Sequence, residues 1–153
     1  MPANSILFRV HAFATVALFG LIWIVQLVHY PGFAYVAPEQ WAAFHAHHTT
    51  SITVIVLPLM VTELALGGVL WKWSGWDRRF GMLWALAIGT WVSTFLLSVP
   101  LHEQLAVGYD GATIEVLVRT NWPRTVLWTV RVAWLGLAWS SLSACVSQHS
   151  EKG

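Results

Sequence analysis

The chain has 153 residues, of which 57% are hydrophobic and only 10% are charged, and its formal net charge is +1. Soluble domains carry about 25% charged residues, so this composition predicts a membrane protein, with residues 1–153 as a single transmembrane domain. The small net charge and the lack of a basic run exclude a nucleic-acid partner. The one cysteine, Cys145, excludes an internal disulfide.

Four long apolar segments follow one another, at about residues 6–28, 39–71, 80–99 and 122–144. A transmembrane helix needs roughly 20 apolar residues. Pro31 is expected to end the first span, Pro58 to kink the second, and Pro100 to bend or end the third. Residues 112–119 predict a short helix on the membrane surface, with Asp110 as its N-cap. The predicted fold is all-α: an integral membrane four-helix bundle with this interfacial helix between spans three and four.

Basic residues divide unequally between the two sides of this topology. The side of the two termini has five: Arg9, Lys72, Arg78, Arg79 and Lys152. The other side has Arg119 and Arg124. Because cytoplasmic loops carry the excess of Lys and Arg, both termini are predicted to be cytoplasmic, in a bacterial inner (cytoplasmic) membrane. A cleaved signal peptide is a poor account of the first segment, since its apolar run is too long.

Polar side chains from all four spans fall at the opposite, outer end of the bundle. They are Gln26, His29, His45, His47, His48, His102, Glu103, Asn121, Arg124 and Thr125. Imidazole is the commonest metal ligand at neutral pH, and facing helices of a bundle often hold metals. We therefore predict a metal site with four ligands: His29, His45, His48 and His102. A nitrogen-rich set suits copper, iron or zinc.

The roles within this group follow from helix geometry and chemistry. His45 and His48 are three residues apart and share a helix face, whereas His47 points about 200° away from His45. Glu103 is the predicted proton-transfer group. Arg124 and Asn121 are expected to orient an anionic or carbonyl group of a substrate. Histidines at a membrane surface also bond headgroups, water and backbone carbonyls, and that is the alternative interpretation without a metal.

A haem is the alternative cofactor at the same histidines. His45 and His48 lie on one side of one helix, so they cannot be the two axial ligands of a single haem. The axial pair would have to come from two helices, such as His48 with His29 or with His102.

Two charged residues fall inside the predicted spans, where a charge needs a partner or a watery cavity. Glu63 is the only carboxylate well inside a span, and Arg131 lies inside span four. They are predicted to pair, and His11 is an alternative partner for Glu63. Such an interior would suit a proton path, and equally a purely structural network.

Several short motifs together resemble a family of small bacterial four-span membrane proteins without an established activity. The motifs are HYPGF (29–33), FHAHH (44–48), PLM (58–60) with Glu63, PLHEQLAVGYD (100–110) and LVRTNWPRTVLWTVR (117–131). The last motif also resembles the anthrone-oxygenase-like membrane proteins. That second resemblance implies an oxygenase or oxidase that acts on a hydrophobic aromatic substrate.

The leading functional prediction is a protein of the lipid bilayer, a membrane metalloprotein that acts as an oxidoreductase or oxygenase on a small hydrophobic substrate or a quinone. The predicted assemblies are a homo-oligomer or a larger membrane complex, and one alternative function is a non-catalytic accessory subunit of such a complex. A haem-binding electron-transfer protein is another. A transporter is disfavoured because only Pro58 interrupts the interior of a span, and paired broken helices are absent.

Overall fold

Every regular element in the described part of the chain is a helix, as the sequence predicts. The structure, a computed structural model, describes the backbone of residues 3–150 and the side chains of residues 5–145. Lys152 and the side chain of His149 lie outside the described residues.

Four long helical rods and one short helix make up the fold. The first rod is α1 (Ala3–Ile24), a π-helical turn (Val25–His29), α2 (Tyr30–Gly32) and a 3-10 turn (Phe33–Tyr35). The second is a 3-10 turn (Pro38–Gln40) followed by α3 (Trp41–Trp73). The third is α4 (Arg78–Ser93), a π-helical turn (Thr94–Ser98) and α5 (Val99–Val107). The short helix α6 (Gly111–Thr120) precedes the fourth rod, α7 (Trp122–Ser150).

The prolines interrupt these rods less than the sequence suggests. The prediction that Pro31 ends the first span is wrong, because the helix continues through α2, and the third rod likewise continues past Pro100 to Val107. Each proline follows a π-helical turn and occupies the first turn of the next α-helix, where its missing N–H costs no intrahelical bond. Pro58 lies inside α3 without a break in the α-helix.

The short helix α6 begins where the sequence predicts. The carboxylate of Asp110 accepts hydrogen bonds from the backbone N–H groups of Ala112 and Thr113, as an N-cap does. Ile114 and Leu117 point from α6 into the core. The helix therefore covers one end of the fold, between the third and fourth rods.

The four rods close into a ring in which α1 and α4 each pack against both α3 and α7. Two apolar clusters fill the interior. The cluster at the end of the bundle that α6 covers includes Leu18, Ile22, Phe33, Trp41, Leu105, Leu117 and Trp128. The cluster at the opposite end includes Phe8, Leu70, Phe80, Leu83, Leu135 and Leu142. The buried polar residues lie between these clusters and at the end of the bundle that α6 covers.

Three of the rods are long and apolar enough to cross a membrane: Ser5–Tyr35, Pro38–Trp73 and Arg78–Val107. The fourth, α7, is not among the candidate spans found in the described residues, and it contains both Arg124 and Arg131. Large apolar side chains such as Val54, Leu96 and Leu137 are exposed on the outside. Polar groups are buried inside, so the distribution indicates a membrane protein.

Candidate functional site

Four histidines from three of the rods meet at the end of the bundle that α6 covers. His29 is the last residue of the first π-helical turn, His45 and His48 are on α3, and His102 is on α5. The Nε2 atom of His29 lies 2.7 Å from Nδ1 of His48. The Nε2 atom of His45 lies 3.2 Å from Nδ1 of His102. The ring centroids of His48 and His102 are 5.5 Å apart, so the two pairs are neighbours.

The helical phase of α3 decides which of its histidines joins this group. His45 and His48 are 3% and 6% exposed, while His47 is exposed, as the helical spacing predicts. The indole of Trp41 stacks on the His45 ring with centroids 5.4 Å apart. The Phe33 ring meets the His48 ring edge-on, with centroids 5.0 Å apart. These aromatic contacts restrict both imidazoles to the interior.

Tyr30 connects the histidines to Arg124, a role that the sequence analysis missed. The Tyr30 hydroxyl lies 3.0 Å from Nε2 of His102 and accepts a hydrogen bond of 3.4 Å from Nη2 of Arg124. Its place beside His29 in the HYPGF motif was the available signal. The π-helical turn that ends at His29 carries both side chains into the site, as such turns often do at functional positions.

Asn121 lies behind Arg124 and holds it in place. The Arg124 Nη2 group donates to the Asn121 side-chain oxygen. The Asn121 amide donates in turn to the side-chain oxygen of Gln26 at 2.8 Å. Gln26 donates to the backbone oxygen of Val118 at 3.1 Å, which ties α6 to the first rod. Asn121 is fully buried and contacts its neighbours rather than the open space of the site.

Glu103 lies at the edge of the site rather than in the polar network. It is exposed, and it lines the same cavity as His102. Its carboxylate forms no ion pair with the described basic side chains.

A cavity of about 610 Å³ adjoins the histidines. Its polar end includes Tyr30, His45, His48, His102, Glu103 and Arg124. From there it extends along α3 to Met60 and along α7 to Trp128, and its walls are largely apolar. Leu57 and Phe95 line it and are also exposed on the outer surface, so the cavity opens sideways between the second and third rods. The volume is that of a small-molecule site.

The imidazole nitrogens are close together in pairs but do not form a ready metal site. Two nitrogen ligands of one tetrahedral ion lie roughly 3.3 Å apart when each bond is about 2.0–2.1 Å, and the two pairs here are separated by 2.7 and 3.2 Å. However, no three His, Cys, Asp or Glu side chains among the described residues converge as a metal site requires. The Nε2 atom of His48 is buried without a hydrogen-bond partner. A shared ion therefore requires the imidazole rings to turn.

A second polar cluster lies deeper in the bundle. Arg131 Nη1 and Glu63 Oε2 form an ion pair at 2.7 Å, which confirms the pairing expected from the sequence. The Trp128 indole donates to the same carboxylate oxygen at 3.3 Å. His11 is close enough to Arg131 to interact with its charge, but neither of its ring nitrogens has a hydrogen-bond partner. Glu63 is thus paired with Arg131 and not with His11.

No family model, curated protein or solved structure matches the chain.

Proposed function

We propose that the chain is a membrane metalloprotein, an oxidoreductase or oxygenase that acts on a small hydrophobic substrate in the cavity. The proposed metal ligands are His29, His45, His48 and His102. The observation that carries this proposal is their convergence from three rods at the polar end of a largely apolar cavity of about 610 Å³. Clustered imidazoles and an adjoining apolar cavity are what a metal centre with a hydrophobic substrate needs.

The surrounding side chains support a metal at the histidines. Tyr30 bonds Nε2 of His102, which leaves Nδ1 facing His45. Ligating histidines generally have such a partner on their other ring nitrogen, which fixes the orientation of the ring. Imidazole nitrogens suit copper, iron or zinc. Bound there, copper or iron would supply electron-transfer chemistry and zinc would supply a Lewis acid.

One of the two observed nitrogen separations suits neighbouring ligands of a single ion. The 3.2 Å between Nε2 of His45 and Nδ1 of His102 is close to the roughly 3.3 Å of two nitrogens on one tetrahedral ion, whereas the 2.7 Å between His29 and His48 is shorter. Haem is the alternative cofactor, held by His48 with either His29 or His102.

The same proposal includes four membrane spans, with α7 as the fourth. The two arginines that lower the hydropathy of α7 are both buried inside the bundle, where Arg131 is paired with Glu63. The exposed side of α7 is apolar, as Val126, Val130 and Leu137 illustrate. A helix with its charges inside and its apolar side chains outside is suited to a bilayer.

The topology of the proposal follows from the distribution of basic residues. Both termini are cytoplasmic, in a bacterial inner membrane, and the histidines lie at the outer face. The helix α6 lies at that face, with Glu115 and Arg119 exposed and Ile114 and Leu117 buried. We also assign the chain to the bacterial four-span family that its motifs resemble.

Metal content of the purified protein tests this function. The wild type is expected to retain about one ion of copper, iron or zinc per chain after dialysis, and His45→Ala and His102→Ala to lose it. His47→Ala is the matched control, since His47 is on the same helix but exposed. A wild type that retains no metal, or an alanine variant of His45 or His102 that retains all of it, contradicts the proposal.

The second candidate is a non-catalytic accessory subunit of a larger membrane complex. One observation favours it: the imidazole nitrogens of each pair lie within hydrogen-bond distance, so they can partner each other instead of a metal. Gentle purification distinguishes the two functions. The accessory subunit is expected to co-purify with partner chains and without metal.

A further inference from the structure

Arg124 is a buried cation whose described neighbours do not neutralise it. Its side chain lines the cavity, and the residue is 7% exposed. Its hydrogen bonds to described residues go to two neutral groups, the Tyr30 hydroxyl and the Asn121 amide oxygen. Its Nε atom is buried and has no partner. No carboxylate among the described residues lies within ion-pair distance of it.

Arg131 is also buried in the described part of the chain, but it has a carboxylate partner and Arg124 does not. Arg131 has a carboxylate at 2.7 Å, whereas Arg124 faces a cavity with histidines around it. A buried charge is costly unless it is paired. Glu103 is the one acidic side chain in the wall of the cavity, and it is exposed and unpaired with Arg124. The described carboxylates therefore leave the charge of Arg124 open to an anion in the cavity.

We propose that the cavity binds an anionic amphiphile, a molecule with an apolar body and one acidic oxygen group, and that Arg124 binds the acidic group. A guanidinium binds a carboxylate through two parallel hydrogen bonds. The largely apolar walls toward Met60 and Trp128 take the apolar body. The proposed ligand gives the chemical class of the substrate in the proposed function. Its binding depends on the cavity and on Arg124 and not on the metal.

The sideways opening determines how such a molecule reaches the site. Leu57 and Phe95 lie both in the cavity wall and on the apolar outer surface of the rods. An amphiphile in the bilayer can therefore slide between the second and third rods without leaving an apolar environment. Its acidic group then meets Arg124 at the polar end, close to the histidines.

Quenching of tryptophan fluorescence by a brominated fatty acid tests the proposal, because Trp91 and Trp128 line the cavity. The full chain is placed in nanodiscs of zwitterionic lipid and titrated with dibromostearate, or with its methyl ester. The acid is expected to quench saturably, in competition with plain stearate, and to bind about tenfold to a hundredfold more tightly than the ester. Equal affinity of acid and ester in the wild type overturns the proposal.

Two variants make the assignment to Arg124 specific. Arg124→Gln keeps a side chain that can bond Tyr30 and Asn121, and it is expected to reduce the preference for the acid to nearly onefold. Arg119→Gln, on the exposed side of α6, is expected to leave the preference unchanged. A preference for the acid that survives Arg124→Gln contradicts the proposal. If that variant does not fold, the comparison of acid and ester in the wild type still decides.

Two further titrations distinguish a lipid headgroup from a free carboxylate as the source of the anion. A measurement of metal content distinguishes the anion site from the proposed metal site. Brominated phosphatidylglycerol replaces the fatty acid in one titration, and acetate competes in the other. Saturable quenching by the phospholipid identifies a lipid headgroup as the anion, and competition by acetate identifies a free carboxylate. Metal content is measured on the same samples. A wild type that holds no metal but still prefers the acid refutes the metal site and supports the anion site. A wild type that holds metal but shows no preference for the acid refutes the anion site and supports the metal site.

Discussion

Glu63 and Arg131 form an ion pair of 2.7 Å in the middle of the bundle, with their side chains 1% and 0% exposed. The pair joins α3 to α7. Trp128, which also bonds Glu63, forms part of the cavity wall on its other side. The ion pair therefore helps to position Trp128, and with it one part of the cavity wall.

Breaking this pair is expected to destabilise the protein strongly. Glu63→Gln leaves the Arg131 guanidinium buried without a counter-charge, at a cost of about 3–5 kcal/mol in the free energy of unfolding. Equilibrium unfolding in mixed micelles measures it. Glu115→Gln, on the exposed side of α6, is the control and should change the free energy of unfolding by less than about 0.5 kcal/mol.

The double variant Glu63→Gln with Arg131→Gln identifies the cause. If the unpaired charge is responsible, the double variant is more stable than the sum of the two single effects predicts. Simple additivity would show that the two residues act independently and that the pair contributes no coupling.

Removing one hydroxyl is expected to weaken the proposed metal site without unfolding the protein. Tyr30→Phe deletes the group that bonds Nε2 of His102, so the imidazole loses its fixed orientation. Loss of such an outer partner reduces metal affinity about 10–100-fold. Competition with a chelator gives the affinity. Tyr109→Phe is the control, because the Tyr109 hydroxyl bonds only the backbone oxygen of Ala34, at 3.4 Å, and unchanged affinity in Tyr30→Phe would contradict the assignment.

The cap of α6 is expected to weaken in acid. The Thr113 hydroxyl, together with the backbone N–H groups of Thr113 and Ala112, lowers the pKa of Asp110 below its ordinary value of 3.8. A carboxyl group with a lowered pKa stabilises the folded state above its unfolded pKa, and this contribution is lost as the pH falls through the folded pKa. The protection of the first amides of α6 against hydrogen exchange, relative to the intrinsic rate at each pH, should therefore fall in that range.

Asp110→Asn separates the cap from its titration. An asparagine still caps the helix but does not ionise, so the protection of these amides in this variant should not change over the same pH range. If both proteins respond equally, another group is responsible.

Reporter fusions test the proposed topology. Alkaline phosphatase is active outside the inner membrane, and green fluorescent protein folds in the cytoplasm. Four spans predict that fusions at both termini fluoresce and that neither has phosphatase activity. A fluorescent N-terminal fusion with an active phosphatase at the C-terminus would mean that α7 does not cross the membrane.

The phase of the histidines on α3, the buried ion pair and the cap of α6 could be predicted from the sequence. Helical phase on α3 separates His45 and His48 from His47, and the exposure of the three side chains agrees. The pairing of Glu63 with Arg131 followed from the need to partner an intramembrane charge, and the Asp110 cap followed from local chemistry.

Other features were not accessible from side-chain patterns. The two π-helical turns change the backbone hydrogen bonds while leaving the chain apolar and helical, so hydrophobic periodicity does not reveal them. They also explain why Pro31 does not end the first rod. The tyrosine between His102 and Arg124 depends on contacts between three rods, which no spacing in the sequence specifies. The hydropathy of α7 is lowered by arginines that turn out to be buried.

X-ray absorption spectroscopy of the metal-loaded protein tests the proposed histidine ligands, because it identifies the atoms bound to the ion. We expect a shell of about three or four imidazole nitrogens at about 2.0–2.1 Å. His48→Ala should lose at least one of them, since His48 bonds His29 and lies beside His102. His47→Ala should give the wild-type spectrum. A shell of oxygen atoms alone, or a spectrum unchanged in His48→Ala, would contradict a metal centre held by these histidines.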